Sequence, residues 1–323
     1  MLAREGVWLS GVVAFEEVSE GLARIGGYRV PPTTVWDHVQ RHGERVKAYQ
    51  NHPQQQVSLD RTQGDSQRYD RQLRKGVSRD GGLVNVRDEG WKAFKAGVVS
   101  RLLPPQDQAD AVCQETRYTA VLGAVEQWAP ALWALAFREH VPYAGHGAVT
   151  ADGAGWIWTL TADLFPCAMQ IVDWYHATEP LAAAAKARYP TDSDAAQRFT
   201  AELKDYLIKD EVWRIIALLH QSGLDAHTPY FETHQHRMLY TLARAAGYPI
   251  GSGVMESAVK RYKQRLAGPG MRWSRPRAQR MLAIRSAVLN HDFDQLWLAA
   301  YPLPPFPNAP PACIVQREAA ICA

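Results

Sequence analysis

The spacing of apolar positions changes period several times along the chain. Over residues 11–48, Val12, Val13, Phe15, Val18 and Leu22 recur at a rough helical interval, and Gly26-Gly27 interrupts it. Pro31-Pro32-Thr33-Thr34 then opens a second helical stretch through Val35, Trp36 and Val39, ending near Gly43, since proline suits a first turn and threonine a cap. Helix, glycine break, helix is the outline of a helix-turn-helix and equally of a plain helical hairpin. In the first case Arg41, His42 or Arg45 would contact DNA. Residues 50–75 are polar and read as a linker. From Gly76 the texture turns to β-type residues: Val77, Leu83, Val84 and Val86, then Trp91, Phe94, Val98 and Val99. These predict a hairpin or two neighbouring strands, with Asp80-Gly81-Gly82 as a turn or strand irregularity.

Tyr118–Phe137 reads as one long amphipathic helix carrying Val121, Leu122, Val125, Leu132, Trp133 and Leu135, kinked or divided at Pro130. His146 to Gly153 reads as a short buried strand ending at Asp152-Gly153, Trp156–Leu164 as a helix, and Ala168 to Asp173 as a second buried strand. Strand, helix, strand with short links predicts a parallel α/β core. Residues 177–245 are mostly helical, with Leu203, Leu207, Val212, Ile215, Ile216 and Leu219 at helical spacing and breaks at Pro190 and Pro229. A helix from Val254, the break Gly268-Pro269-Gly270 and a helix from Pro276 to about Leu289 follow. Beyond Trp297 the tail is proline-rich and predicts poor order. No internal repeat is visible.

Composition narrows the class. With 323 residues, 46% of them hydrophobic and 21% charged, the chain can bury a sizeable core or two modest ones, which excludes disorder throughout. No apolar run approaches the ~20 residues of a membrane span. Met1-Leu2-Ala3-Arg4-Glu5 lacks a signal-peptide pattern. Cys113, Cys167, Cys313 and Cys322 form no CxxC pair, which argues against a zinc ribbon or a disulfide framework and fits a reducing cytoplasm. The net charge of +3 hides a division. Between Glu256 and Arg285 stand nine basic residues (Lys260, Arg261, Lys263, Arg265, Arg272, Arg275, Arg277, Arg280, Arg285) and one acid, a local charge of +8 that leaves −5 for the rest.

Three acids stand out by context. Asp80 and Asp152 each lie beside an apolar or small β-type stretch and precede glycine, and Glu256 sits in the first turn of a helix after Gly-Ser-Gly. Acids at the ends of buried strands can converge at a sheet edge. Two Asp and one Glu suit Mg²⁺, which prefers oxygen ligands, and two such ions ~3.5–4 Å apart can activate an attacking oxygen and stabilise a leaving one. Each acid also has a plain reading: Asp-Gly is a turn signal, and Glu at a helix N-terminus is favoured by the macrodipole. Lys260 and Lys263 share the helical face of Glu256, as a phosphate-handling site requires and as a solvated helix with one Glu–Lys pair also shows.

The wording around the acids carries more than their spacing. Gly76-Val-Ser-Arg-Asp80-Gly-Gly-Leu-Val-Asn-Val-Arg-Asp-Glu-Gly-Trp-Lys-Ala-Phe-Lys-Ala-Gly97, Asp152-Gly-Ala-Gly-Trp-Ile-Trp158, Gln170-Ile-Val-Asp-Trp-Tyr-His-Ala177 and Gly247-Tyr-Pro-Ile-Gly-Ser-Gly-Val-Met-Glu-Ser-Ala-Val-Lys260, running into Gly268-Pro-Gly-Met-Arg-Trp273, occur in order. Together they resemble the ISKra-type insertion-sequence transposases of the Mutator-like DDE group, over roughly residues 10–297. The resemblance implies an α/β fold with an RNase H-like catalytic core, a helical insertion and a small N-terminal helix-turn-helix-like region. It divides the chain into a helical, DNA-binding region (1–49), linker (50–75), first part of the core (76–176), helical insertion (177–246), C-terminal part with the catalytic Glu and basic helices (247–297) and a disordered tail (298–323).

Carried over by motif, Asp80, Asp152 and Glu256 are the catalytic, metal-holding residues of a DNA transposase that uses two Mg²⁺ (or Mn²⁺) ions. They would cut insertion-sequence ends and transfer the strand into target DNA. Asp173 and His176 match a (Cys/Asp)-x-x-His signature and would support the site. His176 would order Asp173 or contact DNA, or the two would form a hydrogen-bonded pair fixing the strand end. Lys260, Arg261, Lys263, Arg265, Arg272, Trp273, Arg275, Arg277 and Arg237 would bind DNA. Trp91, Trp156 and Trp158 would stack on a base or fill the core. The implied partners are double-stranded DNA, as terminal inverted repeats and target, and further copies of the chain assembled on it. No membrane is involved, and the implied location is the bacterial cytoplasm, on the nucleoid. Two departures matter: Met1 lies close to the first helices where family members carry more chain, so a truncated copy or a late start is expected, and Arg79 stands where a buried strand would carry an apolar or small residue, so it is expected to point outward or toward substrate. The alternatives are a truncated or domesticated DNA-binding protein without catalysis, and an RNase H-like nuclease or resolvase that cuts but never joins.

Overall fold

The computed structural model describes residues 2–56, 69–103 and 111–301. The chain is an α/β protein built on a five-stranded mixed sheet of order β3-β2-β1-β4-β5. β1 (Asp70–Val86) and β2 (Gly90–Leu103) form a long antiparallel hairpin, and β3 (Val112–Leu122) continues it on the outer side of β2. β4 (Ala144–Ala151) and β5 (Met169–Val172) run parallel to β1. Asp80-Gly81-Gly82 is not the turn, because β1 passes through it without a break and the chain reverses at Arg87–Glu89, where Asp88 takes φ 63°. The two glycines serve close approach instead. A Cβ on Gly81 would stand 2.6 Å from the Phe94 carbonyl oxygen, and one on Gly82 would stand 2.5 Å from Phe94 Cζ.

Period-two alternation splits the apolar residues between two faces. Val77, Val99 and Val149 face α4 (Val125–Arg138) and α5 (Gly155–Leu164), where Trp128, Leu132 and Leu164 complete a core. Val84, Phe94, Ala96 and Val98 face the other way, onto α11 (Gly253–Leu266), α12 (Arg275–Leu289) and α13 (Phe293–Ala300). A third cluster joins Ala148, Ala151 and Ile171 to the helices α6 (Trp174–Arg188), α7 (Ser193–Ile208), α8 (Val212–Gln221), α9 (Pro229–His234) and α10 (Tyr240–Ala245). The buried Tyr240 hydroxyl ties this helical region to β5 by donating to the Val172 carbonyl at 3.0 Å.

Three expectations are corrected here. Tyr118–Phe137 is not one helix: residues through Leu122 belong to β3, with Tyr118, Ala120 and Leu122 alternately buried, and α4 starts only at Val125. β3 is an edge strand, and α12 covers that edge: Asn290 Oδ1 accepts from the Tyr118 amide at 2.7 Å and Gln279 Oε1 from the Leu122 amide at 2.9 Å. The N-terminal helices α1 (Leu2–Ser10), α2 (Phe15–Gly26) and α3 (Pro32–Gln56) are not set apart from the rest. Val7 and Val39 belong to the same core as Met281, Leu282 and Ile284 of α12. Finally, α3 passes Gly43 and occupies the start of the expected linker, while β1 occupies its end. The middle of that linker and the proline-rich tail beyond Tyr301 lie outside the described residues. Among the described residues no helix is long and apolar enough to cross a membrane.

Candidate functional site

The parallel register sets the site. Val77 faces Val149 and Ser78 faces Thr150, so two residues further on Asp80 comes level with Asp152, the first residue past β4. Asp173 is likewise the first residue past β5, and its amide donates to the Ala151 carbonyl at 2.8 Å. Three carboxylates thus mark the same side of the sheet.

Their surroundings give them different characters. Asp80 is solvent-exposed as a whole residue, yet burial around its carboxyl is the largest influence and pushes its pKa up. The charge of Asp152 pushes the same way, while the Gly81 amide, His176 and Lys263 pull it down. Asp152 Oδ1 accepts from the Ala154 amide at 2.8 Å, which closes the turn into α5. Asp173 is 1% exposed and acts as an N-cap: its Oδ1 accepts from the amides of Tyr175 at 2.8 Å and His176 at 3.1 Å, and its Oδ2 accepts from the Ser252 amide. The same carboxylate therefore starts α6 and holds the loop that leads into α11. Asp173 orders His176 through the backbone, and the His176 ring lies 3.9 Å from Glu179. A cleft beside Asp152 is walled by His176, Glu179, Pro180 and Tyr230.

α11 lies over β1 and β2 and brings Lys263 across Gly82, whose missing Cβ would stand 3.2 Å from Lys263 Cε. Glu256 occupies the first turn of α11 and pairs with Lys260 at 3.8 Å. Among the described residues, no group of three His, Cys, Asp or Glu side chains that could hold a metal ion is formed, by Glu256 with the two aspartates or otherwise. The donor chemistry of Asp80 and Asp152 does fit one hard divalent cation, since two neighbouring carboxylates, one raised by burial and by the charge of the other, gain from a cation between them. A two-ion centre would need Glu256 as well.

The basic segment divides by face. Lys260, Arg261, Lys263, Arg272 and Arg275 are exposed. Arg275 pairs with Glu89, Arg280 pairs with Glu44, and Arg277 lies 4.5 Å over the Trp36 ring. Arg265 and Trp273 lie inside and are unavailable to a phosphate or a base. Arg265, 2% exposed, donates to the Ser10 carbonyl, and the Trp273 indole donates to the Leu266 carbonyl at 2.8 Å. Arg285 is buried too, donating to the carbonyls of Gly11 and Arg261. Arg237 is also turned inward, stacked 4.7 Å over Trp158 with its Nε donating to Gln170 Oε1 at 2.7 Å. Trp158 is buried, whereas Trp91 and Trp156 are exposed. His42, one of three candidates for DNA contact in a helix-turn-helix, bonds the Tyr301 hydroxyl at 2.6 Å and packs on Trp297.

Arg79 overturns its expectation. Its side chain is 1% exposed and points away from Asp80, into the interior under α5, where Nη2 donates to Thr161 Oγ1. Nε and Nη1 have no hydrogen-bond partner. Burial pushes its pKa down to about 9, so it stays charged at neutral pH, and Asp152 supplies the opposing charge. Sequence reading also passed over Tyr230 and His234 on α9, which reach Asp152's turn. They stand about eighty positions from Gly153, and no local pattern announces such a contact.

The sequence matches no protein-family description, and no curated protein matches it.

Proposed function

We propose that this chain is a DNA transposase of the DDE type with an RNase H-like core. The observation that carries the reading is the level placement of Asp80 and Asp152 on neighbouring parallel strands, with the charge of Asp152 helping to push the Asp80 pKa up. The sheet order, with β2 alone running opposite to the other four strands and a helical region inserted between β5 and α11, supports the core assignment. Lys263, reaching toward Asp80, and the exposed Lys260, Arg261 and Arg272 supply cations for a phosphate backbone.

In this reading Asp80 and Asp152 hold Mg²⁺ or Mn²⁺, with Glu256 joining for a second ion. Bound there, the metal would lower the pKa of a water and neutralise charge on the phosphate. The chain's own part is to fix the two aspartates on the sheet, to neutralise neighbouring phosphates through Lys263 and its neighbours, and to align the strand. Water attacks the phosphodiester at the element end and a 3′-hydroxyl leaves. That hydroxyl then attacks a target phosphodiester, and one target 3′-oxygen leaves.

The test is cleavage and joining of a labelled duplex carrying the inverted repeat that flanks the gene. Wild-type protein should cut and join only with Mg²⁺ or Mn²⁺ present, and chelation should stop both. Asp152→Asn should retain DNA binding and lose more than about a hundredfold in rate, since several kcal/mol of charge stabilisation is at stake. Undiminished joining by that variant sinks the assignment. The pairing of Glu256 with Lys260 favours a second reading, a DNA-binding descendant without catalysis, for which binding would persist with no cutting at all.

A further inference from the structure

Arg237 sits in a chain of contacts that ends at the residue following Asp152. Its Nε donates to Gln170 of β5 at 2.7 Å, and its Nη1 lies 3.2 Å from His234 Nδ1. A guanidinium can only donate, so Nδ1 must accept, and the ring proton then sits on Nε2. Tyr230, which packs against the His234 ring, carries the contact on to Gly153. The ring is fixed by its neighbours. It is 5% exposed, with Tyr230 5.0 Å away on one side and Trp158 6.4 Å away on another. Gly153 has no room for a side chain here: a Cβ would stand 2.5 Å from Tyr230 Cε2 and 2.9 Å from its hydroxyl. Glycine after Asp152 is thus explained by the close approach of α9.

From this arrangement we propose that Arg237, through His234, is a positioning residue that braces the Asp152–Ala154 turn against β5 and so sets where the Asp152 carboxylate points. The proposal rests on Asp152 being catalytic. It assigns the helical region a direct part in the site: α9 and the turn after it form a back wall for one acid. Arg237 then acts without touching DNA, its Nε, its Nη1 and its flat face being engaged with Gln170, His234 and Trp158.

The test compares wild type with Arg237→Met, which keeps an apolar stem on Trp158 and removes every donor, and Arg237→Lys, which keeps the charge and one donor. Amide hydrogen exchange on the intact protein reads the brace without any reaction. Arg237→Met should exchange at least tenfold faster across residues 152–156, with β1 and α12 keeping wild-type protection, and Arg237→Lys should fall between. In cleavage assays at saturating DNA, Arg237→Met should lose about 10–100-fold in rate, the range for residues that orient metal ligands. Its DNA affinity and the salt dependence of that affinity should not change. Unaltered exchange at 152–156 overturns the brace, and so does weaker DNA binding at an unchanged rate, which would make Arg237 a phosphate contact. If wild type cuts no DNA while the exchange pattern changes as stated, the brace stands and the transposase reading fails.

Discussion

At Asp80 a single carboxylate shows what the site holds in tension. Burial and the charge of Asp152 raise its pKa above the ordinary 3.8. The folded chain therefore binds a proton more tightly than the unfolded chain. Stability from this group is fully present below the unfolded pKa and is lost as pH rises through the folded one. Asp80→Asn, which cannot ionise, should match wild type in urea unfolding near pH 3 and exceed it at pH 7. An advantage that stays constant across that range would show that Asp80 is not strained by its surroundings. Arg79 carries the same tension with opposite sign, a buried guanidinium with two unpartnered nitrogens beside Asp152. A buried charge without full pairing costs several kcal/mol, so a structure that keeps one next to an anionic site holds it against stability. From sequence, Arg79 was legible as an anomaly, yet its direction was not. Alternation sends residue 79 to the face opposite residue 80, and only the strand's frame, fixed by Val77 and Val84 on their two cores, decides which face is interior.

α11 and α12 show how composition and accessibility part company within an element. Nine cations in thirty residues read as one stripe, but helical geometry turns Arg265 and Arg285 inward, where they satisfy carbonyls of Ser10, Gly11 and Arg261. The exposed cations outside the Arg275–Glu89 pair are Lys260, Arg261, Lys263 and Arg272. Should all four neutralise phosphates, log affinity for duplex DNA should fall against log salt with a slope of about −3 to −4. Replacing Lys263 or Arg272 by alanine should reduce that slope by about 0.9. Arg265→Ala should leave the slope unchanged and lower the melting temperature, because a buried carbonyl loses its donor. Filter-binding at several salt concentrations with parallel melting curves separates the two, and a slope altered by Arg265→Ala would contradict the inward placement. Strong local signals gave the parallel strands, the hairpin and most helices. β3 was hidden because Val121, Leu122 and Val125 also fit a helical interval, and its register depends on side chains of α12 that lie far along the chain.

Over the whole molecule the N-terminal helices and the C-terminal helices make one body, which the sequence divides into separate regions. Arg265 and Arg285 reach the carbonyls that end α1, Gly43 packs against Ile284, whose Cδ1 an added Cβ would meet at 2.9 Å, and Val7 and Val39 share the core of α12. Long-range closure of this kind leaves no trace in local periodicity, because each face looks like an ordinary amphipathic helix until its partner is known. The consequence is a test of domain structure. Were residues 1–49 an independent DNA-reading module, their removal would leave a folded core with its own cooperative melting transition. The packing requires the opposite: deletion would expose the apolar side of α12 and remove the Ser10 and Gly11 carbonyls that accept from Arg265 and Arg285, a loss of several kcal/mol against a total stability of about 5–15 kcal/mol. The deleted chain should therefore elute as aggregate or show no sharp melting transition by circular dichroism, while the two basic helices lose the support that presents Lys263 and Arg261. A monomeric, cooperatively melting deletion variant that still binds DNA would show instead that the sheet and its C-terminal helices stand alone.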